Sequence, residues 1–160
     1  MRFGQADRRF DLAWRSYETR HRPLENYHAI GLHECDVIAL AQAMQLCGFW
    51  KLDIDKGLFF GTKQISDIFE IEHIEGPMNI QQLAERIHPD DLDHVSETYF
   101  RACSARGRFH TIHRIITSTG VVKHIRSVGL HRATDIGSGE YRGMLHELFP
   151  LQPMASVVAL

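Results

Sequence analysis

The sequence of 160 residues predicts an α+β domain in which helices cover one face of a five-stranded antiparallel sheet. Two alternating runs of apolar and polar residues, 109–117 and 121–134, are separated only by Ser118-Thr119-Gly120, which is typical of a β-hairpin. A third run, 141–149, follows after a glycine-rich turn. Strands with such short connections must be antiparallel. The pattern therefore excludes a doubly wound parallel sheet.

The first 45 residues predict a helical extension ahead of the domain. One helix is expected over residues 7–21 and a second over residues 34–46, ended by Gly48. Each has an apolar stripe, which would either pack on the domain or form a dimer interface. The interface candidates are Phe10, Trp14, Val37, Ile38, Ala41 and Met44.

The domain itself is expected over residues 46–149, with a short tail at 150–160. Strand patterns at 49–54 and 58–61 flank a turn at 55–57. A short helix at 62–71 and a loop follow, and Asn79 is a suitable N-cap for a helix over 80–87. The longest helix pattern then runs over 89–105 and precedes the last three strands.

The start of this long helix has a distinctive sequence, Ile87-His88-Pro89-Asp90-Asp91-Leu92. Proline suits the first helical position, and the two aspartates then lie beside the positive end of the helix dipole. The apolar stripe of the helix consists of Leu92, Val95, Tyr99 and Ala102, and we expect Tyr99 to be buried under the sheet.

His88, Asp90, Asp91 and His94 are also residue types that ligate metals. Because the proline-led helix start accounts for the first three, we predict no metal site there.

Upstream, Gly48-Phe49-Trp50-Lys51-Leu52-Asp53 begins the first strand. Together with the His-Pro-Asp-Asp helix start and the three final strands, this order resembles a PAS domain, of the subgroup with a G-x-W-x-x-D first strand. The resemblance covers residues 39–148. It implies a module that senses or relays a signal rather than catalyses a reaction.

The resemblance also implies a ligand pocket between the long helix and the sheet. Large side chains meeting there would fill it, and small ones would leave a cavity. The pocket candidates are Phe69, Val95, Tyr99, Arg114, His124 and Met144.

The sequence requires no cofactor. Haem is an alternative among the pocket's ligands, but the only histidine on the long helix, His94, falls off the apolar stripe. Flavin photosensors of related type need a cysteine in an Asn-Cys-Arg-Phe context, and the matching stretch, 80–86, has none.

Composition narrows the functional class further. The net charge of −2 argues against nucleic-acid binding, and the absence of an apolar run near 18 residues argues against a membrane span. Three cysteines without a C-x-x-C pair indicate a reducing, cytoplasmic setting. No nucleophile elbow, P-loop or H-E-x-x-H motif supports an enzyme.

The C-terminal sequence predicts which part of the chain would pass a signal to a partner. Many PAS domains end in Asp-Ile-Thr before a signalling helix, whereas this chain has Glu147-Leu148-Phe149 and then Pro150 and Pro153, which interrupt a helix. We therefore predict a homodimeric sensory or protein-interaction module of bacterial-type signal transduction. It would act on a separate partner through the N-terminal helices or the exposed sheet face. The alternatives are a small-ligand receptor and, third, an enzyme.

Overall fold

The structure is a computed structural model that describes residues 25–149. The helix predicted over 7–21, the interface candidates Phe10 and Trp14, and the tail at 150–160 lie outside these residues. The chain divides into two compact units between Ile38 and Ala39.

Two helical elements lie at the N-terminal end of the described chain. A 3-10 helix, Tyr27–Ile30, precedes helix α1, Glu34–Met44, which spans the division between the units. The backbone N–H of His33 donates to Asp36 Oδ2 over 2.8 Å at the start of α1. Within the described part of the chain, no residue of α1 is buried.

Five strands form one antiparallel sheet in the order β2-β1-β5-β4-β3, which confirms the predicted fold class. Every neighbouring pair is antiparallel, including β1 with β5, which brings the two ends of the domain together. The strands are β1 Cys47–Asp53, β2 Leu58–Gly61, β3 Phe109–Ile116, β4 Val122–Arg132 and β5 Glu140–Leu148.

Three helices lie between β2 and β3, as the sequence predicted: α2 Lys63–Phe69, α3 Ile80–Arg86 and α4 Pro89–Ala105. The predicted N-cap of α3 is confirmed, because Asn79 Oδ1 accepts from the backbone N–H of Gln81 over 3.0 Å. At α4, His88 is the N-cap and its Nδ1 accepts from the N–H of Asp90 over 3.3 Å. None of the helices within residues 25–149 is both long and apolar enough to cross a membrane.

The core lies between these helices and one face of the sheet, where alternate strand residues are buried. On α4 the predicted stripe is buried at Val95 and Ala102 but not throughout. Leu92 is 37% exposed, and Tyr99 is only partly buried. The expectation that Tyr99 is buried under the sheet is therefore wrong in degree, because both residues border a cavity rather than solid core.

Candidate ligand cavity

A cavity of about 200 Å³ lies between α3, α4 and the helix-covered face of the sheet. Its walls are almost entirely apolar. Ile80 and Leu92, respectively 41% and 37% exposed, line it and mark its mouth between α3 and the first turns of α4. The remaining lining residues come from all five strands and from α2, α3 and α4. They include Leu52, Phe59, Ile65, Phe69, Leu83, Val95, Tyr99, Phe109 and Leu145.

Trp50 on β1 forms part of the cavity wall and rests on two glycines. Gly143 of β5 is its direct cross-strand partner, and Gly129 of β4 lies opposite Gly143. A Cβ on Gly129 would lie 2.5 Å from Cη2 of Trp50, and one on Gly143 would collide with the indole ring. Glycine at both positions therefore lets the indole lie against the sheet.

The indole is held by aromatic neighbours but has an unsatisfied polar atom. Its ring stacks on Phe59 with centroids 5.7 Å apart and meets Phe109 edge-on at 6.1 Å. Trp50 is 8% exposed, and within residues 25–149 its Nε1–H has no hydrogen-bond partner. Buried donors are nearly always paired, so this one calls for an explanation.

His113 on β3 is a second polar group in the cavity wall. It is 7% exposed, and its Nδ1 shares a hydrogen bond of 3.2 Å with Thr111 Oγ1. Burial lowers the pKa of His113 to about 4, so the imidazole is neutral at physiological pH. Ser96 and Ser127 also line the cavity, and no Lys, Arg, Asp or Glu of the described residues does.

The first turn of α4, which borders the mouth of the cavity, is hydrogen-bonded to the edge strand β3. Asp91, in the first turn of α4, accepts three hydrogen bonds from Arg114 of β3: from the backbone N–H at 2.8 Å, from Nε at 2.9 Å and from Nη2 at 2.6 Å. The N–H of His88 donates to the Arg114 carbonyl over 2.9 Å. Hydrogen bonding by Arg114 holds the pKa of Asp91 well below its usual range, so the carboxylate is charged at physiological pH.

His88, Asp90 and Asp91 at this helix start therefore make structural contacts. Across residues 25–149, no group of three or more His, Cys, Asp or Glu side chains is arranged to hold a metal ion.

Three of the six predicted pocket residues, Phe69, Val95 and Tyr99, line the cavity. Arg114, His124 and Met144 do not. They occupy strand positions that alternate with the buried ones, and Arg114 is the cross-strand partner of His124. Because successive strand residues point to opposite faces, these three positions belong to the face without helices.

Sequence reasoning missed Trp50 and His113 as cavity residues. Trp50 was recognised only as part of the first-strand motif, and His113 was not among the pocket candidates. Two signals could have identified them. Glycines within the patterns for β4 and β5 indicate that something packs closely on the sheet. His113 also occupies the same set of alternate strand positions as Phe109, Thr111 and Ile115, which indicates that these four side chains point to one face of the sheet.

No protein-family model matches the sequence, and no curated protein does. Solved structures do match. One is a sensory box histidine kinase/response regulator from Burkholderia thailandensis, 19% identical, with a TM-score of 0.57 over 69% of this chain and 83% of that one. Another is the N-terminal domain of a diguanylate cyclase with PAS/PAC sensor from Marinobacter aquaeolei, 18% identical, with a TM-score of 0.57 over 63% and 94%.

A PAS domain from Colwellia psychrerythraea is 13% identical, with a TM-score of 0.52 over 72% of this chain and 98% of that one. At such identities the likeness concerns the fold. The chain thus has the PAS fold that the sequence resemblance implied. Its assignment to the G-x-W-x-x-D and H-P-D-D subgroup stays a prediction.

Proposed function

We propose that this protein is a sensory module of signal transduction that binds a small molecule in the cavity and acts on a separate partner. The cavity is the observation that carries the proposal. Protein interiors pack with few voids larger than a water molecule. A cavity of about 200 Å³ is therefore not needed for a packed core and supports a binding role. Apolar walls with a few polar groups are typical of ligand sites. The structural neighbours named as sensors support the same class.

The position of the cavity suits a sensor because its walls belong to two separate layers, the helix α4 and the sheet. Val95 and Tyr99 belong to α4, whereas Trp50 and His113 belong to the sheet. An occupant that separates or draws together these two walls would favour one arrangement of α4 over another.

A cavity-filling variant tests this function. Ser96 of α4 is half-buried in the wall, and Glu97 beside it points to solvent. Native mass spectrometry and a thermal-shift screen of small apolar compounds should identify ligands of the unaltered chain. Ser96→Leu should abolish the shifts, and the matched control Glu97→Leu should keep them. If Ser96→Leu responds as the unaltered chain does, or if no compound binds, the proposal is wrong.

Homodimerisation through α1 is the second part of the proposal. The apolar side chains of α1 are exposed: Val37 by 37%, Ile38 by 47% and Met44 by 88%. Leu40, on the same helix, is 53% exposed. Neighbouring exposed apolar residues on one helix are typical of an interaction surface, and a second copy offers the same surface.

Sedimentation equilibrium of charged variants tests the α1 interface. Met44→Glu should shift the protein towards monomer. Phe100→Glu is the matched control, since Phe100 is a large apolar residue of α4 that is 66% exposed. A monomeric unaltered protein, or dissociation by Phe100→Glu alone, would contradict this interface.

We further infer that ligand binding is passed on through the end of α1 and the helix-free sheet face. Gln45, just after α1, donates from Nε2 to the carbonyl of Glu147 near the end of β5 over 2.6 Å. Hydrogen exchange of residues 34–46 should therefore change when a ligand binds. Gln45→Ala should reduce that change while leaving ligand affinity intact. An identical exchange response in the variant would argue for another route.

A further inference from the structure

We infer that the ligand is a small hydrocarbon-like molecule of about one ring, recognised by apolar contact alone and without a hydrogen bond to the cavity wall. The inference rests on the proposed function and specifies the chemical class of its ligand. Two features of the cavity support it: its size, and the chemistry of the surface that faces it.

The volume limits the size of the ligand. A dry apolar cavity of roughly 150 Å³ in another protein holds benzene, whereas drug-sized ligands occupy roughly 300–1,000 Å³. At about 200 Å³, this cavity fits one ring with a short substituent. Haem and flavin each consist of several rings, so the walls would have to move apart to admit either of them.

Charged groups on a ligand would find no partner in the cavity. No Lys, Arg, Asp or Glu of the described residues lines it, and burial lowers the pKa of His113 to about 4, so its imidazole is neutral at physiological pH. The Asp91 carboxylate, in the first turn of α4, is already hydrogen-bonded to Arg114. An ion in the cavity would lose its hydration without gaining a countercharge, so we expect an uncharged ligand.

Hydrogen-bonding groups on a ligand are disfavoured for the same reason. The surface that faces the cavity is almost entirely apolar, although Ser96, Ser127 and His113 contribute to its lining. His113 shares its Nδ1 with Thr111 Oγ1 over 3.2 Å, and the indole nitrogen of Trp50 is closed to a molecule the size of water. A hydroxyl or amide on the ligand would therefore lose its water without a compensating hydrogen bond.

Toluene and phenol test recognition by apolar contact alone. The two molecules have nearly the same size and shape, but one has a methyl group where the other has a hydroxyl. Their Kd values should be measured by calorimetric titration on the unaltered chain. We expect phenol to bind at least about tenfold more weakly than toluene, because its hydroxyl gains no partner in the cavity. Benzoate, the charged comparison, should not bind.

Variants of the wall show whether toluene binds in the cavity and whether a serine hydroxyl takes part. Ser96→Leu should abolish toluene binding, whereas the exposed control Glu97→Leu should keep it. Ser96→Ala and Ser127→Ala each remove one hydroxyl from the lining. Both should leave the ratio of the phenol and toluene Kd values within about twofold of that in the unaltered chain.

Absorbance titrations with haem and with riboflavin test the size limit. We expect no saturable binding of either compound to the unaltered chain, because neither fits a cavity of about 200 Å³. Ser96→Leu serves again as the control, since it distinguishes binding in the cavity from attachment elsewhere on the protein.

The outcomes separate this inference from the proposed function. Phenol binding as tightly as toluene, a serine variant that weakens phenol alone, or tight binding of benzoate would overturn the inference and leave a small-molecule sensor in place. Saturable binding of haem or riboflavin that Ser96→Leu removes would do the same. If neither toluene nor any other compound binds, the proposed function fails as well.

Discussion

Helices α4 and α1 have similar sequence features, but the structure places them in different surroundings. Each has apolar side chains at helical spacing and two acidic residues in its first turn, although the apolar side chains are less confined to one face on α1 than on α4. Helix α4 buries Val95 and Ala102, whereas α1 buries no residue. An apolar stripe therefore predicts a helix, but it does not say what will cover the stripe.

The difference begins at the helix starts. Asp91 of α4 accepts its three hydrogen bonds from Arg114, which lies 23 residues away on the sheet edge. Asp36 of α1 accepts from the N–H of His33, three residues away. The first contact fixes a helix to the domain, and the second stabilises only the helix's own first turn.

The largest effect is expected from removing these carboxylates by the same substitution. Asp91→Ala removes the three hydrogen bonds from Arg114 and leaves only Asp90 Oδ2, at 3.5 Å, beside the guanidinium. The free energy of unfolding should fall by about 3 kcal/mol. Asp36→Ala should cost less than about 1 kcal/mol, as for an exposed helix cap. Urea denaturation measures both, and equal losses would show that the Arg114 contact does not anchor α4.

His113, on the sheet face that α4 covers, should make the free energy of unfolding depend on pH. His113 has a pKa of about 4 in the folded protein against 6.5 when exposed, because burial outweighs the opposing charge of Asp91, and His94 adds to the lowering. Below pH 6.5 the unfolded chain binds the proton first, so stability is lost as pH falls. The loss between pH 7 and pH 5 should be about 2 kcal/mol from this residue.

His113→Gln tests that expectation, with His124→Gln as the control because His124 is exposed on the neighbouring strand. The pH profile of the free energy of unfolding should flatten in the first variant only. His110, whose pKa burial also lowers to about 4, should account for part of the remaining slope. A His113→Gln profile that matches the unaltered protein would show that the residue is solvated.

The smallest effect compares one valine on each helix. Val95→Ala, at 9% exposure, should cost about 1–2 kcal/mol. Val37→Ala, at 37% exposure, should cost less than about 0.5 kcal/mol in dilute protein. If α1 forms the dimer interface, the Val37→Ala loss should grow with protein concentration, which melting at several concentrations would detect.

The candidate site was harder to predict than the fold. The strand bounds and the Asn79 cap follow from local patterns, and these were predicted to within two or three residues. The pocket residues Phe69, Val95 and Tyr99 were also predicted, since two of them lie on a helical stripe. Arg114, His124 and Met144 were not brought to the cavity, because the predicted list did not take account of which face each strand position points to.

Two contacts depend on residues that are far apart in the chain. Trp50 rests on Gly129 and Gly143, and Asp91 pairs with Arg114. Each needs the register between strands or between a strand and a helix, and no local periodicity contains that register.

The sequence by itself determined the fold class, the order of the elements and the helix start at Pro89, because alternation, turn residues and capping act over a few neighbouring positions. The tertiary structure decided that α4 is anchored to β3, that no residue of α1 is buried within residues 25–149, and that a cavity bordered by Trp50 remains between α4 and the sheet. Those outcomes depend on how side chains from distant segments fill a shared volume, and that volume exists only once the strands are paired and the helices packed.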